Sequence, residues 1–454
     1  MKSVRGFDGS VVLVRKERPN TRTPEPPNAF EDVMYWLYSL GLGAFFTGML
    51  PFFGAQAVLR GKYRRGLAER LGSVRAHAGT ESPLWLHAVS VGEVMAAAPL
   101  ARELVVRRPD VPLLVSTVTD TGRRVAEQRL PAKQFLFFPL DFAWIVGRVL
   151  DRLHPRLVLL TETELWPNFL AACRARRVPV VLINGRISPR SFPRYRLVAR
   201  WFSRVLQDIR LFCMQTAQDA ERILALGAPP ERVRVLGNLK FDLPTLGRDA
   251  DAGSARLTLG LPPDQRLVVA GSTHRGEEEV ILEAFRDVAA SRGDLRLLLA
   301  PRHPERLAEV EGLIRRAGFS CIRRSRLPAG PVNGAPVILL DTMGELSWLY
   351  AAASVVFVGG SLIPHGGQNI LEPAAYARPV LHGPHMANFA EMRDLFHRAG
   401  AAIQVEDAET LGRRLGALLD EPAAADRMGN AGRAIVEAHC GATRRTADLV
   451  SAFL

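Results

Sequence analysis

Polar and charged residues in this chain gather at the ends of short apolar runs, and three of these gatherings hold groups able to move a proton or meet a charge. The first is His87-Ala-Val-Ser90-Val-Gly92-Glu93, in which the glycine permits a tight turn and Glu93 falls near a helix N-terminus. A carboxylate there has two possible duties. It can cap exposed N–H groups, where the helix dipole favours its charge, or it can point into a cleft as a general base. The second gathering is Thr161-Glu162-Thr163-Glu164-Leu165-Trp166-Pro167-Asn168, directly after the apolar run at 156–160. Two carboxylates so close to a strand end must be solvated or paired. One is expected to open a helix and the other to belong to a site, and the pattern leaves open which. The third is Gly237-Asn238-Leu239-Lys240-Phe241-Asp242. Lys2, Lys16, Lys62, Lys133 and Lys240 are the only lysines among 59 basic side chains. A lysine at 240 therefore hints at a need for a compact ammonium, against the plainer reading of a solvated surface charge.

The second half carries a different set: Gly271-Ser272-Thr273-His274, Pro301-Arg302-His303-Pro304, Asp341-Thr342-Met343-Gly344-Glu345, Gly359-Gly360-Ser361, and His365 through Asn369-Ile370-Leu371-Glu372-Pro373. Glycine pairs at strand-to-helix turns let backbone N–H groups approach a phosphate, and a glutamate further along can accept ribose hydroxyls. No GxGxxG follows the first strand of either half and no GxxxxGK[ST] occurs, which counts against dinucleotide oxidoreductases and P-loop enzymes. Metal candidates are thin. His382-Gly-Pro-His385 lacks a third partner and reads as a turn, and Asp249-Ala-Asp251 sits in the expected linker rather than after a strand, so no metal and no cofactor is expected.

The elements that must position these groups follow from the pattern of apolar runs. Runs at 84–89, 111–117, 134–139, 156–161, 178–183, 211–214 and 233–237 alternate with helical periodicity. After a Pro-, Gly- and Asp-rich stretch the alternation restarts at 266–272, 295–301, 336–341, 354–360 and 378–383. Apolar runs flanked by helices are strands of parallel sheets covered on both faces. The chain thus reads as α/β, with two successive Rossmann-like domains and a site in the cleft between them. The expected divisions are a flexible extension at 1–32, a membrane anchor at 33–59, a first domain at 60–243 and a linker at 244–263. A second domain then covers 264–435, and a final helix at 436–454 returns to the first. A length of 454 residues fits this number of domains, and 48% apolar with 23% charged residues excludes wholesale disorder. Cys173, Cys213, Cys321 and Cys440 lie too far apart for a disulfide framework or thiolate metal site, which points to a reducing compartment. A formal charge of +13 favours anionic partners.

Residues 33–59 carry no charge, and Tyr35, Trp36 and Tyr38 cluster at one end, where amphipathic rings prefer the headgroup level. The stretch reads as an anchor that spans the bilayer or lies in its interface, with a buried core helix as the competing reading. Pro51 is expected to kink it or end it early. Arg60, Lys62, Arg64, Arg65, Arg70 and Arg75 follow, a basic run that favours a cytoplasmic catalytic region and attracts anionic lipid.

Taken together, the clusters resemble the 3-deoxy-D-manno-octulosonic acid (Kdo) transferases of lipopolysaccharide assembly. The match is carried by HAVSVGE (87–93), TETELWPN (161–168), GNLKFD (237–242), STHRGEEE (272–279) and PRHPER (301–306). DTMGEL (341–346), FVGGSL with GGQNILEP (357–373) and HGPHMANF (382–389) extend it in one order from about residue 34 to the end. The resemblance implies a GT-B glycosyltransferase fold with an N-terminal membrane-anchor helix at the cell inner membrane and catalytic domains on the cytoplasmic side. It also implies inverting, metal-independent transfer of Kdo from CMP-Kdo to the tetraacyl-disaccharide precursor of lipid A. The partners implied are that donor, that acceptor and anionic inner-membrane lipid, with no nucleic acid. Carried over by position, Glu93 matches the general base, and Glu162 and Lys240 match transition-state stabilisers. Pro301 with Arg302, Met343-Gly344-Glu345 and Asn369-Ile370-Leu371-Glu372 match the CMP-binding segments, while Ser272, Thr273 and His274 are candidate donor-sugar contacts. The polar extension before Ala29 is longer than the resemblance leads one to expect. Competing readings are a GT-B transferase using a nucleotide diphosphate sugar on another lipid, and a catalytically silent membrane protein with the same shell.

Overall fold

The computed structural model describes residues 2–5, 11–14, 29–59, 66–77, 79–242, 252–262, 264–327 and 334–454, with the backbone alone at 2–5, 11–14, 29–32 and 50–59. Lys2–Arg5 (β1) and Val11–Val14 (β2) pair antiparallel within the stretch expected to be a flexible extension. The first large sheet contains Leu84–His87 (β3), Leu113–Thr117 (β4), Gln134–Phe137 (β5), Leu157–Thr161 (β6), Val180–Gly185 (β7), Leu211–Met214 (β8) and Val233–Val235 (β9). Its strands run parallel in the order β5-β4-β3-β6-β7-β8-β9. Every residue of β3, β4, β6, β7 and β8 is buried, as continuous apolar runs covered on both faces must be.

The second sheet contains Arg266–Thr273 (β10), Leu295–Pro301 (β11), Cys321–Arg323 (β12), Val337–Leu339 (β13), Val355–Val358 (β14), Val380–His382 (β15) and Ala402–Gln404 (β16). These are also parallel, in the order β12-β13-β11-β10-β14-β15-β16. Strands β12 and β16 have no counterpart among the expected runs. Both are three-residue edge strands with only Ala402 buried, so neither leaves the long apolar signature of an interior strand.

In the second sheet β13 inserts between β11 and β12. Each sheet has a switch point, between β3 and β6 in the first and between β10 and β14 in the second. Helices leave for opposite faces there, and the crevice outside the carboxyl ends of those strands is where such sheets bind ligands.

The expected linker contains a helix, Ala252–Thr258, and Ala255, Leu259 and Leu261 are buried with Phe241 in the core of the second domain. Asp249 and Asp251 lie outside the described residues. Towards the end, the helix Pro422–His439 buries Ile435 and Val436 in the second domain. Gly441, with φ of 84°, then turns the chain into the helix Ala442–Val450, whose Ala442, Ala447 and Val450 enter the core of the first.

The uncharged stretch lies in one helix, Ala29–Leu59. Pro51 does not end it: the proline removes one ladder bond, which a helix of 31 residues absorbs. Among the described residues no helix is long and apolar enough to cross a membrane. This helix has two unlike sides. Tyr35 and Tyr38 pack on Trp201, and Phe46 packs on Phe142 of the first domain. Val33, Trp36, Leu37, Leu40 and Phe45 are exposed.

Candidate active site

The switch point of the first sheet gathers the groups that the sequence singled out in that half. Val91–Arg107 follows β3 as a helix with Ser90 at its N-cap, and the Ser90 Oγ accepts from the Glu93 backbone N–H. Both duties foreseen for Glu93 bear on its carboxylate. Its Oε2 accepts from the Val89 N–H at 2.9 Å and from Thr161 Oγ1 at 2.7 Å, while Oε1 accepts from Ser90 Oγ at 3.0 Å. A carboxylate has about four lone-pair sites. Among the described residues Oε2 takes two donors and Oε1 takes one. Glu93 is 9% exposed, so any further donor must come to it through the mouth of the crevice.

Glu162 follows β6 with φ of 54°, a left-handed backbone that a non-glycine residue adopts only when its surroundings impose it. That turn brings the Glu162 Oε1 within 3.3 Å of the Lys240 Nζ, both side chains being partly buried. Lys240 reaches it from a short 3₁₀ turn, Leu239–Phe241, capped by Asn238.

Neither carboxylate of this cluster opens a helix, contrary to expectation. The helix begins at Pro167 with Trp166 at its N-cap, and the indole offers no acceptor. Asp141 supplies one instead, accepting from the Asn168 N–H at 3.1 Å, the Phe169 N–H at 2.7 Å and the Tyr38 hydroxyl at 2.9 Å. Burial pushes its carboxyl up to about 7 against the opposing pull of those three donors. Glu164 accepts from the Trp166 indole N–H at 3.0 Å. Burial, followed by the nearby charges of Glu93 and Glu162, lifts its carboxyl to about 7. His87, by contrast, is a core residue. It is buried, stacked on Phe138 at 3.9 Å, bonded through Nδ1 to Ser116 Oγ, and held down to about 3 by burial.

The second sheet gathers the other set. Arg302 stands exposed just after β11, with its N–H on the Thr273 carbonyl. Glu372 lies near enough for the Arg302 charge to act on its carboxyl, which burial raises and the Asn369 bond and Arg302 lower. Asn369 binds Glu372 Oε1 at 3.3 Å and accepts from the Leu371 N–H at the start of the short helix Leu371–Ala375. Ile370 and Leu371 are fully buried in the core, so only their backbone can face a ligand. Met343 is exposed, Gly344 is left-handed, and Glu345 accepts from Thr342 and pairs with Arg324 at 3.3 Å.

Of the candidate sugar contacts, Thr273 is buried with its hydroxyl committed to Glu278. Ser272 is left-handed, with φ of 56°. His274 lies against His365 and His303, and burial followed by these neighbouring rings lowers it to about 4. Among the described residues no hydrogen bond joins this set to Glu93, Glu162 and Lys240. One ion pair, Arg186 to Glu391 at 3.9 Å, connects the end of β7 with the helix Ala390–Arg398 of the second domain. No group of three or more His, Cys, Asp or Glu among the described residues is placed to hold a metal.

Sequence reasoning missed Thr161 as a partner of Glu93, Asp141 as the cap, and the buried pair Glu277 and Glu278. The last two lay in plain view in the run Glu277-Glu278-Glu279, but burial is what distinguishes them from a solvated charge run.

Two doubly wound domains with ionisable clusters at their switch points, tied by a helix that returns from the second to the first, have the architecture of a GT-B-like glycosyltransferase. Residues 65–243 match the family model described as 3-Deoxy-D-manno-octulosonic-acid transferase (kdotransferase). A 3-deoxy-D-manno-octulosonic acid transferase of Haemophilus influenzae is 36% identical over 89% of this chain and 95% of that protein. Another, of Bordetella pertussis, is 37% identical over 84% of this chain and 89% of its own length. The solved C-terminal CMP-Kdo binding domain of WaaA from Acinetobacter baumannii is 34% identical, covering 41% of this chain and 95% of that one, with a TM-score of 0.38. The chain belongs to the 3-deoxy-D-manno-octulosonic acid transferase family.

Proposed function

We propose that this chain is an inverting glycosyltransferase that moves Kdo from CMP-Kdo to the tetraacyl-disaccharide precursor of lipid A in lipopolysaccharide assembly. The observation that carries the mechanism is the placement of the Glu93 carboxylate at the switch point of the first sheet, held by Val89, Thr161 and Ser90. An alcohol is a poor nucleophile until its proton leaves, and a positioned carboxylate takes that proton as the C–O bond forms. In the proposed reaction the acceptor's primary hydroxyl gives its proton to Oε1 while its oxygen attacks the anomeric carbon of Kdo. The bond from that carbon to the cytidylate phosphate oxygen breaks, and its electron pair leaves on CMP.

Glu162 stabilises positive charge developing on the sugar, and Lys240 balances the negative charge of departing CMP or of the Kdo carboxylate. Pro301 with Arg302, Met343 to Glu345 and Asn369 to Glu372 hold CMP, with Arg302 toward the phosphate and Glu372 toward the ribose. CMP carries a single phosphate, so one guanidinium, one ammonium and backbone N–H groups suffice without a metal.

The acceptor is an anionic lipid. The exposed side of the helix Ala29–Leu59 supports docking at the inner-membrane surface, and the arginine-rich run after it supports contact with anionic headgroups there.

Purified protein supplied with CMP-Kdo and a defined lipid A precursor is expected to give a product heavier by whole Kdo residues on mass spectrometry, with CMP released. No product, under conditions in which another member of the family works, removes the assignment. Inhibition by UDP or GDP in place of CMP would move it to a transferase that uses a nucleotide diphosphate sugar.

A further inference from the structure

At the switch point of the second sheet the backbone builds an anion-binding nest, and one of the chain's own carboxylates fills it. After β14 the chain passes through Gly359 and Gly360, the latter at φ of 64°. Three successive N–H groups then turn the same way, those of Gly360, Ser361 and Leu362. Such a concavity of N–H groups at the carboxyl end of a strand is a phosphate cradle. Here the Glu277 Oε2 accepts from Gly360 at 2.6 Å, and Oε1 accepts from Ser361 and Leu362 at 2.9 Å each. Oε2 also accepts from the His274 N–H at 2.9 Å, which closes the loop after β10 onto the loop after β14. Glu277 is fully buried, and its four bonds fill the capacity of a carboxylate. The two loops are in contact: a Cβ on Gly359 would lie 2.5 Å from the Ser272 carbonyl oxygen.

We propose that Glu277 is a built-in anion that sets donor specificity, occupying the nest in which the second phosphate of a nucleoside diphosphate would sit and leaving room for a donor with one phosphate. This deepens the proposed function and rests on it, since it explains how the same architecture can prefer a cytidylate donor. The neighbouring Glu278 supports the arrangement from its other side. It accepts from Thr273 Oγ1 at 3.0 Å and takes a two-pronged bond from Arg306 at 2.7 and 3.1 Å, which anchors the loop that carries Arg302. Glu277 thus acts as a positioning residue through the backbone of two loops.

The test is calorimetric titration of CMP and CDP into the full chain and two variants. Glu277→Gln keeps the volume but turns an amide NH₂ toward two N–H donors, and CMP is expected to bind at least about tenfold more weakly. Glu277→Ala empties the nest. Its CMP affinity is expected to fall similarly, to recover about tenfold in acetate relative to chloride at equal ionic strength, and to lose its preference over CDP. In assays with both substrates, KM for CMP-Kdo is expected to rise while KM for the acceptor holds, a split that general loosening of the fold would not give.

CMP affinity of Glu277→Gln within twofold of wild type overturns the proposal, as does an unchanged CMP-to-CDP ratio in Glu277→Ala. If the alanine variant does not fold, the glutamine variant alone decides by its CMP affinity and by the KM split. Wild-type protein that binds no CMP would instead sink the proposed function, so the two failures are separable.

Discussion

At the scale of single residues, the arrangement around Glu93 separates capping from catalysis. Glu93→Gln retains the shape of the cap and one accepting oxygen but cannot take a proton. Turnover is expected to fall by about 10²–10⁴-fold with CMP binding unchanged, measured by initial rates and calorimetry; full turnover would take the base role away from Glu93. Thr161→Val removes the 2.7 Å bond to Oε2 from a buried site at nearly constant volume. A hydrogen bond to a charged group is worth about 1.5–3 kcal/mol, so kcat is expected to drop by about tenfold or more if that bond orients the base.

Glu164 offers a pH-dependent check. Its carboxyl sits near 7 in the fold, above the ordinary 4.5, so the folded state holds the proton more tightly than the unfolded chain. Its contribution to stability is complete below about 4.5 and is lost as pH rises through about 7. Glu164→Gln keeps an acceptor for the Trp166 indole and cannot ionise. The variant's melting temperature is therefore expected to gain on wild type between pH 5 and pH 8. A gap that stays constant across that range would show that Glu164 does not titrate there.

At the scale of elements, apolar runs made the interior strands legible because a strand covered on both faces needs nothing but apolar side chains. The edges β12 and β16 were not legible, since short, half-exposed strands carry no such run. Strand order was also beyond the sequence. The reversal that brings Glu93 after β3 beside Thr161 at the end of β6 depends on pairing across 68 positions. The capping error has the same origin. The helix starts at Pro167 rather than at a glutamate, and its acceptor comes from Asp141, a loop residue remote in sequence. One carboxylate therefore fixes two elements, the helix at Pro167 and, through Tyr38, the helix Ala29–Leu59. Asp141→Ala is expected to cost about 1–2 kcal/mol in urea unfolding, the usual loss for an N-cap. Tyr38→Phe is expected to cost about 1 kcal/mol and to speed proteolysis of the N-terminal helix. An Asp141→Ala protein as stable as wild type would mean that the cap is incidental.

At the scale of the whole molecule, the chain ties its two domains twice, once through the segment after Asp242 and once through the return at Gly441. The two ties meet, because the Asp242 carboxylate accepts from the Gly441 and Thr443 N–H groups, and Phe241 stacks on His439 at 4.7 Å. Beyond that point the helix Ala442–Val450 belongs to the first domain. It buries Ala447 and Val450 beside Leu100 and Leu104, Arg107 pairs with Asp448 at 2.6 Å, and Arg445 donates to the Leu236 carbonyl. A chain ending after Cys440 would keep the core of the second domain, including Ile435 and Val436, but would uncover the face of the helix that carries Glu93. Such a truncation is expected to split thermal unfolding into two transitions, the lower one unaffected by CMP and the upper one raised by it. CMP affinity should persist while turnover disappears, because the base sits on the unsupported helix and the nucleotide segments do not. A single transition at the wild-type temperature, or retained turnover, would mean that the returning helix does not hold the first half of the active site in place.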